Sequence, residues 1–131
     1  MLARLLKVFG VLSSVRDCGN GQGRAAVLGF DSQPSSPKAG DNVTLWVAYD
    51  LSYPPITGGT AIYTLNLNGI PFTPTKSDLC TQTDCPKEVG FNNESSWNLF
   101  PSGISGKIVS TIEWNDQNND LVWCVETTWR V

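Results

Sequence analysis

The sequence predicts an all-β domain, an antiparallel sandwich or barrel, on three observations. Apolar and polar residues alternate with period two over several short stretches. Those stretches are separated by turn formers, drawn from 12 Gly and 8 Pro together with frequent Asn and Ser. No window after residue 14 sustains the 3.6-residue periodicity of a helix. A chain of 131 residues is enough for one such domain with a single core.

The elements follow in order. Arg24–Ser32, RAAVLGFDS, reads as a first strand, and a Pro/Ser loop follows it. NVTLWVAYD alternates cleanly: Val43, Leu45, Val47 and Tyr49 point one way, Thr44, Trp46, Ala48 and Asp50 the other. In TAIYTLNLNGIPF, Ala61, Tyr63, Leu65 and Leu67 share the inner face, while Thr64, Asn66 and Asn68 read as solvent-facing. Residues 73–98 are long and polar and admit short strands that the pattern does not assign. KIVSTIEWN places Ile108, Ser110, Ile112 and Trp114 together, and DQNND makes a hairpin turn. LVWCVETTWRV closes the chain, with Leu121, Trp123, Val125, Thr127 and Trp129 opposed to Val122, Cys124, Glu126 and Thr128.

Composition narrows the chemistry. The net charge is −3, and no run of Lys or Arg occurs after the first 16 residues, so no nucleic-acid partner is expected. The chain has no histidine, which removes Ser-His-Asp and Cys-His catalysis and His-ligated zinc. Asp78, Asp84, Glu88, Glu113 and Asp116 fall in turns or beside Trp114, with no spacing that forces two carboxylates together, and read as solvated turn acids. No enzymatic activity and no cofactor or metal are expected. Residues 1–16 carry Arg4 and Lys7 before a short apolar patch, Val8–Leu12, and read as a signal or leader segment; residues 17–131 form the domain.

Four cysteines permit three pairings. A bridge between Cys80 and Cys85 is sterically easy around the TQTD loop. Cys18, before the first strand, and Cys124, in the last, are natural partners in a closed two-sheet fold. That bridge is worth up to ~4–5 kcal/mol in the chain-entropy model. Zinc would need two close C-x₂₋₄-C pairs, and Cys18 and Cys124 are not such a pair; a redox centre would need C-x-x-C, which the Cys80–Cys85 spacing is not. Two disulfides imply an oxidising compartment. The sequons at Asn42 and Asn93 fit a secretory route with glycosylation, or are ordinary surface asparagines.

The ordered set DCG (17–19), PKAGDNVTL (37–45), GGTAIYTLNLNGIPF (58–72), DLC and CPKEVG, FPSGISGKIVSTIEW (100–114) and LVWCVE (121–126) resembles the ML lipid-recognition domain family. The resemblance implies an immunoglobulin-like sandwich of two antiparallel sheets that hold a lipid between them, with no covalent chemistry. It implies the bridges Cys18–Cys124 and Cys80–Cys85. A third bridge common in the family has no counterpart in DSQPSSPKAG (31–40), which leaves that loop less constrained. Ser105 stands where sterol-carrying members have an aromatic residue, so sterol specificity does not carry over.

The cavity expected on this basis is lined by Val43, Leu45, Val47, Tyr49, Tyr63, Leu65, Leu67, Ile108, Ile112, Trp114, Val125 and Trp129. Phe72, Phe100, Pro101 and Ile104 serve as gate residues at its mouth. Alternation alone cannot distinguish this hollow from an ordinary filled core. Trp46, Trp97 and Trp123 are placed outside the cavity, where tryptophan would dock on a membrane interface or a protein partner, or simply cover an apolar edge. The expected protein is secreted or lumenal and carries a sterol, fatty acid or phospholipid. The alternative is a structural or adhesion Ig-like module with a filled core, part of a larger extracellular or membrane-associated assembly.

Overall fold

The computed structural model describes residues 12–33, 38, 40–99, 102–103 and 105–130, without the side chains of 12–14 and 98. Among these, nine strands and one helical turn form two antiparallel sheets. In chain order they are β1 (Leu12–Asp17), β2 (Ala25–Gln33), β3 (Asn42–Leu51), β4 (Gly59–Leu67), β5 (Ile70–Pro71), β6 (Thr75–Asp78), α1 (Leu79–Gln82), β7 (Gly90–Leu99), β8 (Lys107–Asp116) and β9 (Leu121–Arg130). The larger sheet runs β1-β9-β8-β4-β5, with β6 also paired to β4; the smaller runs β2-β3-β7.

Residues 12–16, read in the sequence as the end of a leader, form most of β1, which pairs with β9 from Leu12↔Trp129 to Asp17↔Val125. A strand therefore precedes the one the sequence pattern places first. The polar stretch 73–98 resolves into β6, α1 and β7, and β7 pairs with β3 along its whole length, Asn42↔Leu99 to Leu51↔Gly90. Asp78 caps α1, its Oδ1 accepting from the Cys80 backbone N–H at 2.9 Å. At the start of β4, Gly59 (φ +135°) lies against the Asn115 carbonyl, and any side chain there would collide with it.

The sandwich is solid at one end. Tyr49 from β3 meets Trp114 from β8 edge to face, with ring centroids 6.1 Å apart, and Trp123 from β9 at 6.0 Å. The two indoles lie 4.6 Å apart. Trp123, placed outside the cavity from the sequence, is buried in this core and not on the surface, as its shared face with Val125 and Trp129 requires. Leu79 of α1 and Ile56, both fully buried, plug the same end from the side. Cys18 is bonded to Cys124, and its backbone N–H donates to the Cys124 carbonyl at 3.0 Å. The 18–24 segment so held lies beside the outward face of β9, where Cys124 and Val122 are buried although alternation turns them away from the sheets' inner face.

Asp116 corrects its reading as a solvated turn acid. Its side chain is 0% exposed, and Oδ2 accepts from Arg24 Nε at 2.7 Å. Its Oδ1 accepts from the backbone N–H groups of Asn118 and Asp120, which builds the β8–β9 turn. Arg24 Nη1 donates to the Ser52 and Pro54 carbonyls at 2.9 Å each, so one ion pair ties three connections together at the closed end.

Candidate functional site: a cavity at the open end of the sandwich

Toward the opposite end the sheets enclose a cavity of about 540 Å³. Its apolar wall is Val43 and Leu45 from β3, Leu65 from β4, Ile108 from β8 and Trp129 from β9. The reason for the gap is local. Ser110 and Thr127 face inward in register with each other, between the larger pairs Ile112↔Val125 and Ile108↔Trp129. Two small side chains side by side leave the larger sheet without the bulk that Trp114 and Trp123 supply below. Trp129 Nε1 donates to Thr127 Oγ1 at 3.2 Å, a bond within β9 itself.

The mouth carries Phe72, Trp97 and Leu99, which line the cavity and are 49%, 68% and 66% exposed. Trp97 was expected outside; it sits at the rim. The nearby β4–β5 hairpin turns through Asn68 and Gly69, both at positive φ, as a two-residue primed turn demands. Asn68 is exposed but not idle: Nδ2 donates to the Ser105 carbonyl at 2.9 Å and Oδ1 accepts from the Lys107 N–H at 2.8 Å. This fixes the hairpin before Phe72 against the segment that leads into β8.

Of the residues the sequence placed in the cavity, Val43, Leu45, Tyr63, Leu65, Phe72, Ile108 and Trp129 line it. Val47, Ile112 and Trp114 instead line a second, small hollow of about 20 Å³, together with Trp123 and Glu94. Tyr49 and Val125 belong to the filled core, and Leu67 packs half-buried against it. The proposed gate residues Phe100, Pro101 and Ile104 lie outside the described residues. Thr64, read as solvent-facing, is found in the lining.

The residues missed in the sequence are polar. Thr73, Thr75 and Ser77 in and before β6, Gln82 of α1, and Ser96 of β7 all line the main cavity. They stand on the side where the edges of the two sheets face each other. Below them, Glu94 of β7 bridges that side. Its Oε1 accepts from Thr83 Oγ1 at 2.6 Å, and its Oε2 accepts from Tyr49 Oη at 3.0 Å and pairs with Lys87 Nζ at 3.1 Å. The inner faces therefore include one carboxylate, on a strand that the sequence pattern does not assign. Burial first, then the Glu94 charge and its hydrogen bond, push the Tyr49 phenol well above its ordinary pKa, so it stays a neutral donor. Burial also raises Tyr63, whose Oη donates to Gln82 Oε1 at 3.2 Å across the margin of the cavity.

Cys80 is bonded to Cys85, which closes the short loop just after α1. The Lys87 and Ile56 backbones exchange both hydrogen bonds, at 2.9 and 3.0 Å, so the clipped loop is also tied to the β3–β4 connection. The sequon residues Asn42 and Asn93 are both exposed, on outward positions of the smaller sheet. Among the described residues, no group of three or more His, Cys, Asp or Glu is placed to hold a metal ion.

No curated protein matches the sequence. Among solved structures, a Niemann-Pick type C2 protein from the Japanese carpenter ant superposes with a TM-score of 0.67 at 14% identity. That match covers 89% of this chain and 98% of the ant protein. Chicken MD-1, solved in complex with lipid IVa, gives a TM-score of 0.58 at 16% identity, over 88% of this chain and 86% of its own. Both share the two-sheet fold. The sequence profile of the ML domain matches residues 13–131, and the chain belongs to the ML domain family of lipid-recognition β-sandwich proteins.

Proposed function

We propose that the protein is a lipid carrier of an oxidising compartment, secreted or lumenal, that holds one lipid in the cavity between its sheets and performs no covalent chemistry. The observation that carries this reading is the cavity of about 540 Å³ at one end of an otherwise filled sandwich. That volume falls within the ~300–1,000 Å³ of typical ligand sites. Burying an acyl chain of ~14 methylenes contributes about 11 kcal/mol gross at ~0.8 kcal/mol per CH₂. Several kcal/mol of positional and chain entropy offset it. Phe72, Trp97 and Leu99 form the rim through which the lipid passes. An adhesion module would need no hollow, and the gap beside Ser110 favours the carrier. Two disulfides and the exposed sequons at Asn42 and Asn93 support passage through the secretory route, where both asparagines would carry glycans.

Uptake of fluorescent sterol, fatty acid and phospholipid by the delipidated protein tests the proposal. Leu65→Trp fills the cavity from the larger sheet and is expected to abolish uptake, whereas Val109→Trp, on the opposite face of β8, leaves it intact. A protein that takes up none of the three probes is not a carrier. Equal loss in both variants would show that the lipid lies elsewhere.

A further inference from the structure

The two strands that border the gap between the sheets reverse the usual pattern. On the central strands β3, β4 and β8, inward positions hold Val, Leu, Ile, Tyr, Trp or Ala, with Ser110 a polar exception. On β6 and β7 the inward positions hold Thr75 and Ser77, and Glu94 and Ser96. A ligand between the sheets thus meets apolar side chains along its length and a polar seam along one side. The seam is hydrogen-bonding but uncharged: no Lys, Arg, Asp or Glu lines the main cavity among the described residues.

The adjacent small hollow shares Leu45, Tyr63, Gln82 and Ser96 with the cavity. It also holds Trp114 and Trp123, whose buried indole N–H groups have no partner among the described residues. The inward-facing charge on β7 is the Glu94 carboxylate, one inward position from Ser96, or about 7 Å along the strand. The Lys87 ammonium opposite Glu94 is already paired with it. A second carboxylate brought to this seam would gain no cation from the cavity lining and would stand near a like charge.

On the carrier reading, we infer that the cavity selects an uncharged amphiphile, an alcohol, ester or amide of a single compact lipid, whose polar group turns inward to the Tyr63–Gln82–Ser96 seam, and that it discriminates against fatty-acid anions. Hydroxyl or carbonyl oxygens match the donors there, and one group can reach Ser96 Oγ and the Gln82 amide while its chain lies on Val43, Leu65 and Ile108. The ligand's head is thereby read at the polar margin beside β6 and β7, and the apolar rim contacts only its tail.

The test is competitive uptake of hexadecanol, methyl palmitate, palmitate and 1-hexadecene by the delipidated full chain at pH 7.4, read by native mass spectrometry. The alcohol and the ester are expected to exceed palmitate by about tenfold or more. In a Gln82→Leu/Ser96→Val variant, hexadecanol falls about tenfold relative to hexadecene, the equivalent of one or two hydrogen bonds. Palmitate bound as well as the alcohol overturns the inference and leaves the carrier standing. An unchanged ratio in the double variant also overturns it, since the head then lies elsewhere. Uptake of none of the four overturns the carrier reading itself.

Discussion

The two ends of this sandwich are built from the same alternation and reach opposite results. At the closed end, Tyr49, Trp114 and Trp123 reach across the space between the sheets, while Leu79 and Ile56 fill it from the side. At the open end, the inward positions of β3 hold Val43 and Leu45, opposite a larger sheet that presents Leu65 and is thinned by Ser110 and Thr127. Sheets in contact pack about 10 Å apart only when side chains interdigitate. Where both faces carry small or medium residues and the flanking strands are polar, a gap persists. Stability is therefore concentrated at one end and capacity at the other.

Breaking the closed end has the largest expected effect. Trp114→Ala removes the ring that contacts both Tyr49 and Trp123 and is expected to cost about 3–5 kcal/mol, measured by urea unfolding. Leu79→Ala, which empties the fully buried plug, is expected to cost about 2–5 kcal/mol. Leu65→Ala is the matched change at the open end. Its side chain already borders empty space and loses few contacts, so about 1 kcal/mol is expected. Equal costs for the two leucines would mean that the ends are packed alike. Filling the gap sharpens the contrast further: Leu65→Trp shifts stability by less than about 1.5 kcal/mol, because added bulk meets a void and not a packed core.

How much of this was legible in the sequence follows from the same contrast. The central strands β3, β4, β8 and β9 announce themselves because one face is apolar, and period two groups the residues of that face, though it does not place Thr64 of β4 in the cavity lining. Nothing in that pattern separates Val47, which ends in the filled part, from Val43, which lines the cavity; the difference lies in what stands across the gap. β7 was missed because its amphipathicity is inverted. Phe91 is exposed on the outer face and Trp97 and Leu99 stand exposed at the cavity rim, while Glu94 and Ser96 point in. A strand whose polar face is turned inward reads as a loop to any rule that equates polar with outside. Asp116 escapes the pattern for a related reason: its turn position suggests solvent, and the cation that pairs with it in the interior, Arg24, lies 92 residues earlier.

The smallest effect distinguishes the ends by proton binding. Tyr49 holds its proton in the folded protein to a higher pH than a free phenol does, through burial and through the Glu94 carboxylate that accepts its hydrogen bond. Tyr63, at the cavity margin, is raised by burial alone. Below about pH 10 both folded and unfolded chains keep these protons, so the two groups add no pH dependence to stability. Above about pH 10 the unfolded chain releases protons that the folded chain retains. The folded state then binds more protons, and the free energy of unfolding falls as pH rises. Urea midpoints are accordingly expected to decline above about pH 10. Tyr49→Phe costs about 1 kcal/mol at neutral pH through its lost hydrogen bond and flattens that decline. Tyr63→Phe flattens it less, because no carboxylate stands behind that phenol. If the Tyr49→Phe decline were as steep as that of the parent protein, the buried Tyr49–Glu94 contact would not be what retains the proton at high pH.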